Sequence, residues 1–151
     1  MSGSTIKIRL MTADDFDAVV GIDNKILKVS RLEYYEMKFD RLFRSKEFLP
    51  TSLVAESEDG TVVGFVMGEL YIGEYGISQV GATIDTIGVD PDCRRKGIGQ
   101  QLIDEFIDHL KDLGVKKIST LVEKNDTELL HFFSANQFST AQDVINLERS
   151  I

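Results

Sequence analysis

The sequence predicts a single α/β domain in which a mixed central β-sheet is flanked by helices, with the element order βααβββαβαβ. Along the chain, segments whose apolar residues recur every second position, as in strands, are followed by segments with the periodicity of a helix. A hairpin signal, Glu58-Asp59-Gly60, separates two of the strands. No repeat, linker or low-complexity segment interrupts the 151 residues, a length typical of one domain. We therefore expect one domain over residues 1–151.

The N-terminal part is predicted to hold three strands and two helices. Thr12 is a typical N-cap for the first helix, and the second helix is rich in large side chains that could line a groove. The predicted elements are strands at 5–10, 52–56 and 62–70, a helix that begins after Thr12, and a helix at 31–43.

The C-terminal part contains the strongest helix pattern of the chain. Apolar residues recur at i, i+3 and i+4 after Gly99, with charged residues between them, and Gly114 is a typical C′ residue. The strand before this helix ends at Pro91, which cannot donate to a sheet ladder. The predicted elements are strands at 83–89, 117–122 and 143–148, a helix that follows Gly97-Ile98-Gly99 and is closed by Gly114, and a helix at 126–135.

Composition and charge exclude several classes of protein. Asp and Glu number 25 against 17 Lys and Arg, a net charge of −8, which argues against general nucleic-acid binding. This charge suits a cationic partner such as an amine or a basic peptide, although solubility alone explains it as well. No apolar run approaches the ~20 residues of a membrane span. The single cysteine, Cys93, excludes an internal disulfide and fits a cytoplasmic location.

A cationic turn runs directly into two glycines at the start of the strongest helix, in the order Arg94-Arg95-Lys96-Gly97-Ile98-Gly99. A helix start has unpaired N–H groups and the positive end of the helix dipole, and both attract phosphate. Glycine lets the backbone approach a bulky pyrophosphate, at a cost of ~1 kcal/mol of helix propensity. Neither a Walker loop nor a dinucleotide G-x-G-x-x-G motif matches, because Leu102 stands at the third glycine position. A solvated turn is the alternative, but it leaves the glycines unexplained.

Residues 94–99 match the pattern [Q/R]-x-x-G-x-[G/A]. Together with the preceding TIGVDPDC they resemble the acetyl-CoA motif of the GNAT superfamily of N-acetyltransferases. Residues 121–138 (LVEKNDTELLHFFSANQF) resemble that family's strand, asparagine, helix and Gly-Phe segment, with Gln137-Phe138 in the Gly-Phe place. The resemblance implies a GNAT-like fold. It also implies acetyl transfer from acetyl-CoA to a primary amine, of a small polyamine, another amino compound, a peptide or a protein, by direct attack on the thioester.

The resemblance also assigns residues to the cofactor. Backbone amides of the loop would hold the pyrophosphate, and main-chain groups of Ile87 and Val89 would pair with the pantetheine arm like an added strand. Asn125 would touch the cofactor, and no metal is implied. The residues expected at acetyl-CoA are Ile87, Gly88, Val89, Arg94, Arg95, Lys96, Gly97, Ile98, Gly99, Gln100, Asn125, Phe132 and Phe133.

Asp85 is the leading candidate for the general base, because it is the only carboxylate in the strand at 83–89. An ordinary aspartate, with a pKa of about 3.9, is a weak base and would need burial or a water relay. A role in binding the acceptor's cation is an equally good interpretation. Glu69 in the neighbouring strand is a second candidate, although such a residue is more often a solvent-facing strand position. The N–H of Val89 is expected to stabilise the oxyanion.

In the resemblance, Phe133 stands where the family usually has a tyrosine that protonates the departing thiolate. Ser134 is adjacent, but about 100° round the helix. His131 and the four tyrosines (Tyr34, Tyr35, Tyr71 and Tyr75) are other candidate donors, and the thiolate could also leave unaided. The phenylalanine keeps open a second reading, a catalytically weak or inactive CoA-binding sensor or partner module. The acceptor is expected near residues 31–43 and 71–81, and analogy with relatives allows a homodimer.

Overall fold

The computed structural model describes residues 5–44 and 51–151. The chain divides into two compact units, residues 1–120 and residues 121–151. The first unit contains a five-stranded sheet in the order β1-β2-β3-β4-β5, antiparallel except for the parallel pair β4–β5. The mixed sheet with its helices confirms the predicted α/β class. The strands are β1 (Lys7–Leu10), β2 (Leu53–Glu56), β3 (Val62–Tyr71), β4 (Gly81–Val89) and β5 (Lys117–Ser119), and the helices are α1 (Phe16–Leu27), α2 (Leu32–Arg44) and α3 (Ile98–Asp112).

Alternate residues of β3 face two different layers of helices. Phe65 and Met67 are completely buried in a cluster that includes Tyr35 and Phe39 of α2 and apolar residues of α1. The glycines of β3 lie on the opposite face, against side chains of α3. The apolar stripes that predicted the three helices are therefore the surfaces that cover the sheet. None of the described helices is long and apolar enough to cross a membrane.

Strand β4 has one residue more than the part of β3 that lies opposite. The register passes from the pair Met67–Thr86 to the pair Gly68–Ile84, so Asp85 has no partner. In a regular strand the neighbours Asp85 and Thr86 would point to opposite faces. At this β-bulge both side chains form hydrogen bonds to α2. The extra residue thus places two neighbouring polar side chains on one face of the sheet.

Strands β4 and β5 pair over three residues only, Gly81–Thr83 with Lys117–Ser119. The hydroxyl of Thr120 donates to the carbonyl oxygen of Ile84 at 2.9 Å, and the pairing of the two strands ends at Ser119. Within the described parts of the chain, no strand pairs with residues 85–89 on this side of β4. The strand predicted at 117–122 is accordingly shorter, and the sheet has an open edge.

The second unit is built around α4 (Thr127–Ala135). The side chain of Asp126 caps this helix by accepting a hydrogen bond from the N–H of Leu129 at 3.1 Å. The ring of Phe133 is buried, and its centroid lies 5.5 Å from that of Phe132 and 5.0 Å from that of Phe138. Aromatic packing thus holds the helix to the residues that follow it. The helix predicted at 126–135 is confirmed.

The strand predicted at 143–148 is wrong. Residues 136–151 contain no helix or strand, and the apolar side chains Val144, Ile145 and Leu147, of which Ile145 and Leu147 alternate with polar residues, are exposed. A strand is stable only when its backbone groups pair with a neighbouring strand. Residues 121–151 contain no such neighbour, so the alternation of apolar residues alone does not produce a strand.

Candidate cofactor and acceptor site

The loop between β4 and α3 leads into a helix start whose first N–H groups have no partner within the helix. Arg95 and Gly97 both have left-handed backbone conformations, with φ of 69° and 75°. Glycine adopts this conformation freely, whereas a residue with a Cβ loses about 1–2 kcal/mol. The first hydrogen bond of α3 runs from the N–H of Gln101 to the carbonyl of Gly97 at 3.0 Å. The N–H groups of residues 98–100 therefore have no acceptor within the helix.

The N-terminus of α3 has no negative charge of its own. Its N-cap, Gly97, has no side chain, and its first turn has no acidic residue. Each of the other three helices, by contrast, has an acidic residue in its first turn, at Asp17, Glu33 or Glu128. The exposed cations of the loop surround this end of α3. Unpaired N–H groups, the helix dipole and nearby positive charge together fit a phosphate or diphosphate group.

The turn that leads into the loop is anchored to α1. The carboxylate of Asp90 accepts hydrogen bonds from the N–H of Asp92 at 3.0 Å and from the Lys25 ammonium at 2.9 Å. Burial alone raises the pKa of Asp90, but these two donors hold the pKa below its ordinary value. The loop therefore begins from a fixed point at the end of β4.

Ile87 and Val89 direct their main-chain groups away from β3. The N–H of Asp90 donates to the carbonyl of Val63 at 2.8 Å, so the adjacent pair Gly64–Val89 is a non-hydrogen-bonded pair. The two kinds of pair alternate along antiparallel strands, and Ile87 is therefore of the same kind as Val89. Their N–H and C=O groups point to the side of β4 on which β5 pairs with residues 81–83 only. This edge can accept a ligand that carries amide groups.

The predicted cofactor residues fall into two sets. Those of the first unit form a continuous path, in which the open edge at 87–89 leads through a short 3₁₀ turn into the loop at 94–100. Asn125, Phe132, Phe133 and Ser134 belong to the second unit, where Asn125 and Ser134 are exposed and Phe133 is packed against its neighbours. The cofactor contacts of Asn125, Phe132 and Phe133 and the catalytic role of Ser134 stay predictions.

Asp85 and Glu69, the two predicted base candidates, bind the same lysine. The ammonium of Lys38 on α2 donates to Asp85 Oδ2 and to Glu69 Oε2, both at 2.6 Å. The hydroxyl of Thr83 donates to Asp85 Oδ1 at 3.0 Å. Arg41 Nε lies 2.9 Å from Glu69 Oε1, close enough for an ion pair but not aligned for a hydrogen bond. The cluster thus joins α2 to β3 and β4 at the bulge.

Lys38 is deeply buried for a lysine, with 8% of the residue exposed. Burial alone lowers the pKa of its ammonium, but the hydrogen bonds and negative charges of Asp85 and Glu69 raise the pKa above its ordinary value. Lys38 is therefore a cation at neutral pH. The sequence analysis missed it, although its position between Tyr35 and Phe39 on the buried face of α2 was a signal that the lysine needs a buried partner.

A groove of about 610 Å³ lies on another side of α2, as the large side chains of that helix predicted. Its lining includes Glu36, Met37, Asp40 and Phe43, and none of the predicted site residues. The groove is therefore separate from the loop and from the Lys38 cluster.

Comparison with known families identifies the chain. Residues 22–138 match the family described as the acetyltransferase (GNAT) family. The chain belongs to this family. The match confirms the predicted resemblance, and with it the prediction of an acetyltransferase whose cofactor is acetyl-CoA.

Individual GNAT relatives differ in the part of the chain that they match. A mycothiol acetyltransferase of Propionibacterium freudenreichii is 37% identical over 87 residues, which are 58% of this chain and 27% of that protein. The chain thus spans about a quarter of that relative's length. An acetyltransferase of Pectobacterium atrosepticum is 29% identical over 146 residues, 97% of this chain and 96% of the relative. Among solved structures, an aminoglycoside N-acetyltransferase in complex with CoA has a TM-score of 0.77 at 18% identity, covering 99% of this chain and 98% of that one. That likeness confirms the fold.

Four tyrosines were considered as proton donors because Phe133 stands where the family usually has a tyrosine. Their surroundings differ. Tyr35 is completely buried, and burial raises its pKa far above the ordinary range, so it is a poor proton donor. Tyr75 is almost fully exposed, and the ring of Tyr71 packs against Gly81. Tyr34 is the one whose hydroxyl contacts the bulge, 3.1 Å from the hydroxyl of Thr86. The four tyrosines are therefore not equivalent as donors.

Proposed function

We propose that this GNAT protein is an N-acetyltransferase that transfers the acetyl group of acetyl-CoA to a primary amine by direct attack. The observation that carries the proposal is the continuity between the open edge of β4 and the acid-free N-terminus of α3. An unpaired strand edge suits the amides of a pantetheine arm, and a helix start suits the diphosphate next to it. Few other ligands combine these two requirements.

The residues that would hold the cofactor follow from this path. N–H groups of residues 95–100 would bind the diphosphate, and the main chain of Ile87 and Val89 would pair with the pantetheine arm. Bound acetyl-CoA supplies the acetyl group as a thioester. Counting back along β4 at about 3.3 Å per residue, Asp85 lies roughly 13 Å from Val89. We expect the acyl group near the bulge, where the N–H of Val89, roughly 13 Å away, would be too distant to reach its carbonyl oxygen.

An amine nucleophile must be neutral to react. Removing the proton from a lysine-like amine of pKa ~10.4 costs roughly 4.6 kcal/mol at pH 7. We propose Asp85 as the base, because its Oδ1 atom accepts only the Thr83 hydroxyl while its Oδ2 atom is held by Lys38. Glu69 is less suited, since each of its oxygen atoms faces a cation. Ser134, in the second unit, stays a weaker candidate for the group that donates a proton to the departing thiolate.

The acceptor is proposed only as a class, a primary amine on a small molecule or a peptide. The names of structural relatives include an aminoglycoside N-acetyltransferase and ribosomal-protein-alanine N-acetyltransferases. These names support both a small amino compound and a protein amine as the acceptor. The homodimer and the cytoplasmic location stay predictions.

Two measurements test the proposal. Calorimetry with acetyl-CoA is expected to give one site per chain, and no binding at high micromolar ligand would end it. A screen of polyamines, amino sugars, lysine peptides and N-terminal peptides, followed by release of free thiol, is expected to find an acceptor. Binding of acetyl-CoA without turnover on any amine would favour the second reading, a CoA-binding sensor, for which Phe133 in the tyrosine place is the motivating feature.

A further inference from the structure

The Lys38 cluster is electrically balanced within the protein. Among the described residues, the carboxylates of Glu69 and Asp85 face the cations Lys38 and Arg41, and the charges of these four groups sum to zero. The three side chains at its centre are largely buried. Counting side-chain atoms alone, the exposed fraction is 11% for Lys38, 12% for Glu69 and 20% for Asp85. Arg41 stands at the outside, with 58% of its side chain exposed. Lys38 is therefore the inner cation of the cluster.

Both carboxylates approach the same nitrogen atom, and this geometry is that of a bound ammonium ion. The two 2.6 Å contacts to Lys38 are short charge-assisted hydrogen bonds. The bulge at Asp85 creates the arrangement, because it turns Asp85 towards the face on which Glu69 lies. Without the lysine, the pair would be an anionic site for a primary ammonium group next to the place proposed for the acyl group.

We propose that Lys38 is a specificity-determining residue that fills an ammonium site formed by Glu69 and Asp85. By occupying this site from within the chain, Lys38 excludes acceptors that carry a second ammonium group close to the amine that is acetylated. Such an acceptor finds no uncompensated carboxylate there, and its second charge is repelled by the Lys38 cation. The chain accordingly selects acceptors with a single amine at this place. This selectivity depends on the proposed N-acetyltransferase function, whereas the ammonium site itself does not.

The ammonium site can be tested without acetyl transfer. Lys38→Ala removes three methylene groups and the ammonium, which are the atoms of n-propylammonium. We expect the variant to unfold at a lower temperature than the wild type, and n-propylammonium chloride to raise its melting temperature saturably by about 2–4 °C. Sodium chloride at equal ionic strength and n-propanol, a neutral ligand of the same shape, are expected to have no such effect.

Lys38→Met is the matched control variant. Its side chain refills most of the volume of the lysine stem, so no room is left for the alkyl chain of the ligand, and no saturable rise is expected. An equal response of the wild type, of Lys38→Met and of Lys38→Ala to the ammonium salt would overturn the proposal.

The Lys38→Ala protein leaves two carboxylates without their shared cation, and it could fail to fold. In that case n-propylammonium is expected to restore its circular dichroism. The variant Lys38→Ala with Glu69→Gln carries one carboxylate fewer and is expected to fold more readily and to respond to the ligand more weakly. Continued unfolding of both variants at saturating n-propylammonium contradicts the ammonium site.

The selectivity is tested with butylamine and 1,4-diaminobutane, or with the acceptor found by screening in forms with and without a second amine. We expect the ratio of kcat/KM for the diamine to that for the monoamine to rise at least tenfold in Lys38→Ala. If n-propylammonium raises the melting temperature of Lys38→Ala but the kcat/KM ratio does not change, the selectivity is refuted and the ammonium site is still supported. If the wild type acetylates no amine, the proposed function fails and the selectivity fails with it, while the melting experiment still decides the site.

Discussion

Gly68 of β3 lies so close to Phe106 of α3 that a Cβ at residue 68 would be 2.7 Å from the ring atom Cζ and would also overlap the carbonyl oxygen of Thr83. The ring of Phe106 is completely buried, and the β-bulge begins at this same point of the sheet. The close approach of α3 to the sheet therefore requires a residue without a side chain.

The variant Gly68→Ala is expected to be strongly destabilised. Neither a buried ring nor a backbone carbonyl can move aside cheaply, and we expect a loss of about 3 kcal/mol or more in the free energy of unfolding, measured with urea. Gly21→Ala on α1 is the control, because a Cβ there meets nothing within 4 Å and the helix gains about 0.5–1 kcal/mol. Similar effects of the two variants would contradict the packing described for Gly68.

Asp15 is expected to stabilise the protein in a pH-dependent way. Burial alone raises its pKa, but hydrogen bonds from Arg9 and Thr12 lower the pKa below the ordinary value of 3.8. A carboxylate with a lowered pKa contributes its full stability above the ordinary pKa and loses it as the pH falls through the folded value. Asp15→Asn should therefore lose about 2–3 kcal/mol at pH 7 and differ progressively less from the wild type below pH 3.8.

The exposed neighbour Asp14 supplies the control for this experiment. Asp14→Asn changes the same charge on the same turn without removing the pair to Arg9, and it is expected to match the wild type closely. A difference between Asp15→Asn and the wild type that persists unchanged at pH 2 would show that packing, not charge, explains the effect.

Gly99→Glu should abolish binding of acetyl-CoA while the protein stays folded. The new carboxylate lies in the first turn of α3, where it would compete with the diphosphate for the N–H groups and repel its charge. Calorimetry is expected to show at least a hundredfold loss of affinity. Gly21→Glu places the same substitution on exposed α1 and should bind like the wild type. Retained binding in Gly99→Glu would remove the loop from the cofactor site.

Asp85→Asn should lower kcat by a factor of about 10²–10⁴, the range of general-base catalysis, with little change in the affinity for acetyl-CoA. Glu69→Gln is a stringent control, since it removes a carboxylate from the same lysine but not the proposed base. We expect its kcat to fall much less. Equal losses in both variants would mean that the ion pairs to Lys38, rather than proton transfer at Asp85, are what the reaction needs.

The sequence predicted the elements of the first unit because their signals are local. The start of α3 was predicted just after the glycines and lies at Ile98, between them, and the C′ residue Gly114 has the expected left-handed backbone, with φ of 82°. The local sequence pattern, however, does not distinguish a segment that pairs as a strand from one that does not. The alternation at 143–148 therefore produced a wrong prediction, since pairing depends on residues far away in the sequence.

The sequence contains a signal for the β-bulge in β4 that the sequence analysis did not use. Ile84 and Ile87 are three residues apart, whereas a regular strand would place apolar residues of one face two or four apart. In the structure, the extra residue Asp85 lies between them and restores both to the same face. The Lys38 cluster depends on this bulge together with contacts across 31 and 47 residues, and such distances are beyond the reach of periodicity.

The short pairing of β5 with β4 would give the coenzyme a part in the architecture of the sheet, if acetyl-CoA binds as proposed. The amide hydrogens of Ile87 and Val89, which no described strand accepts, are expected to exchange quickly with deuterium in the free protein and slowly in the complex. In the proposed complex the ligand extends the sheet like an added strand, and the rigidity of this edge is expected to follow the coenzyme supply of the cell.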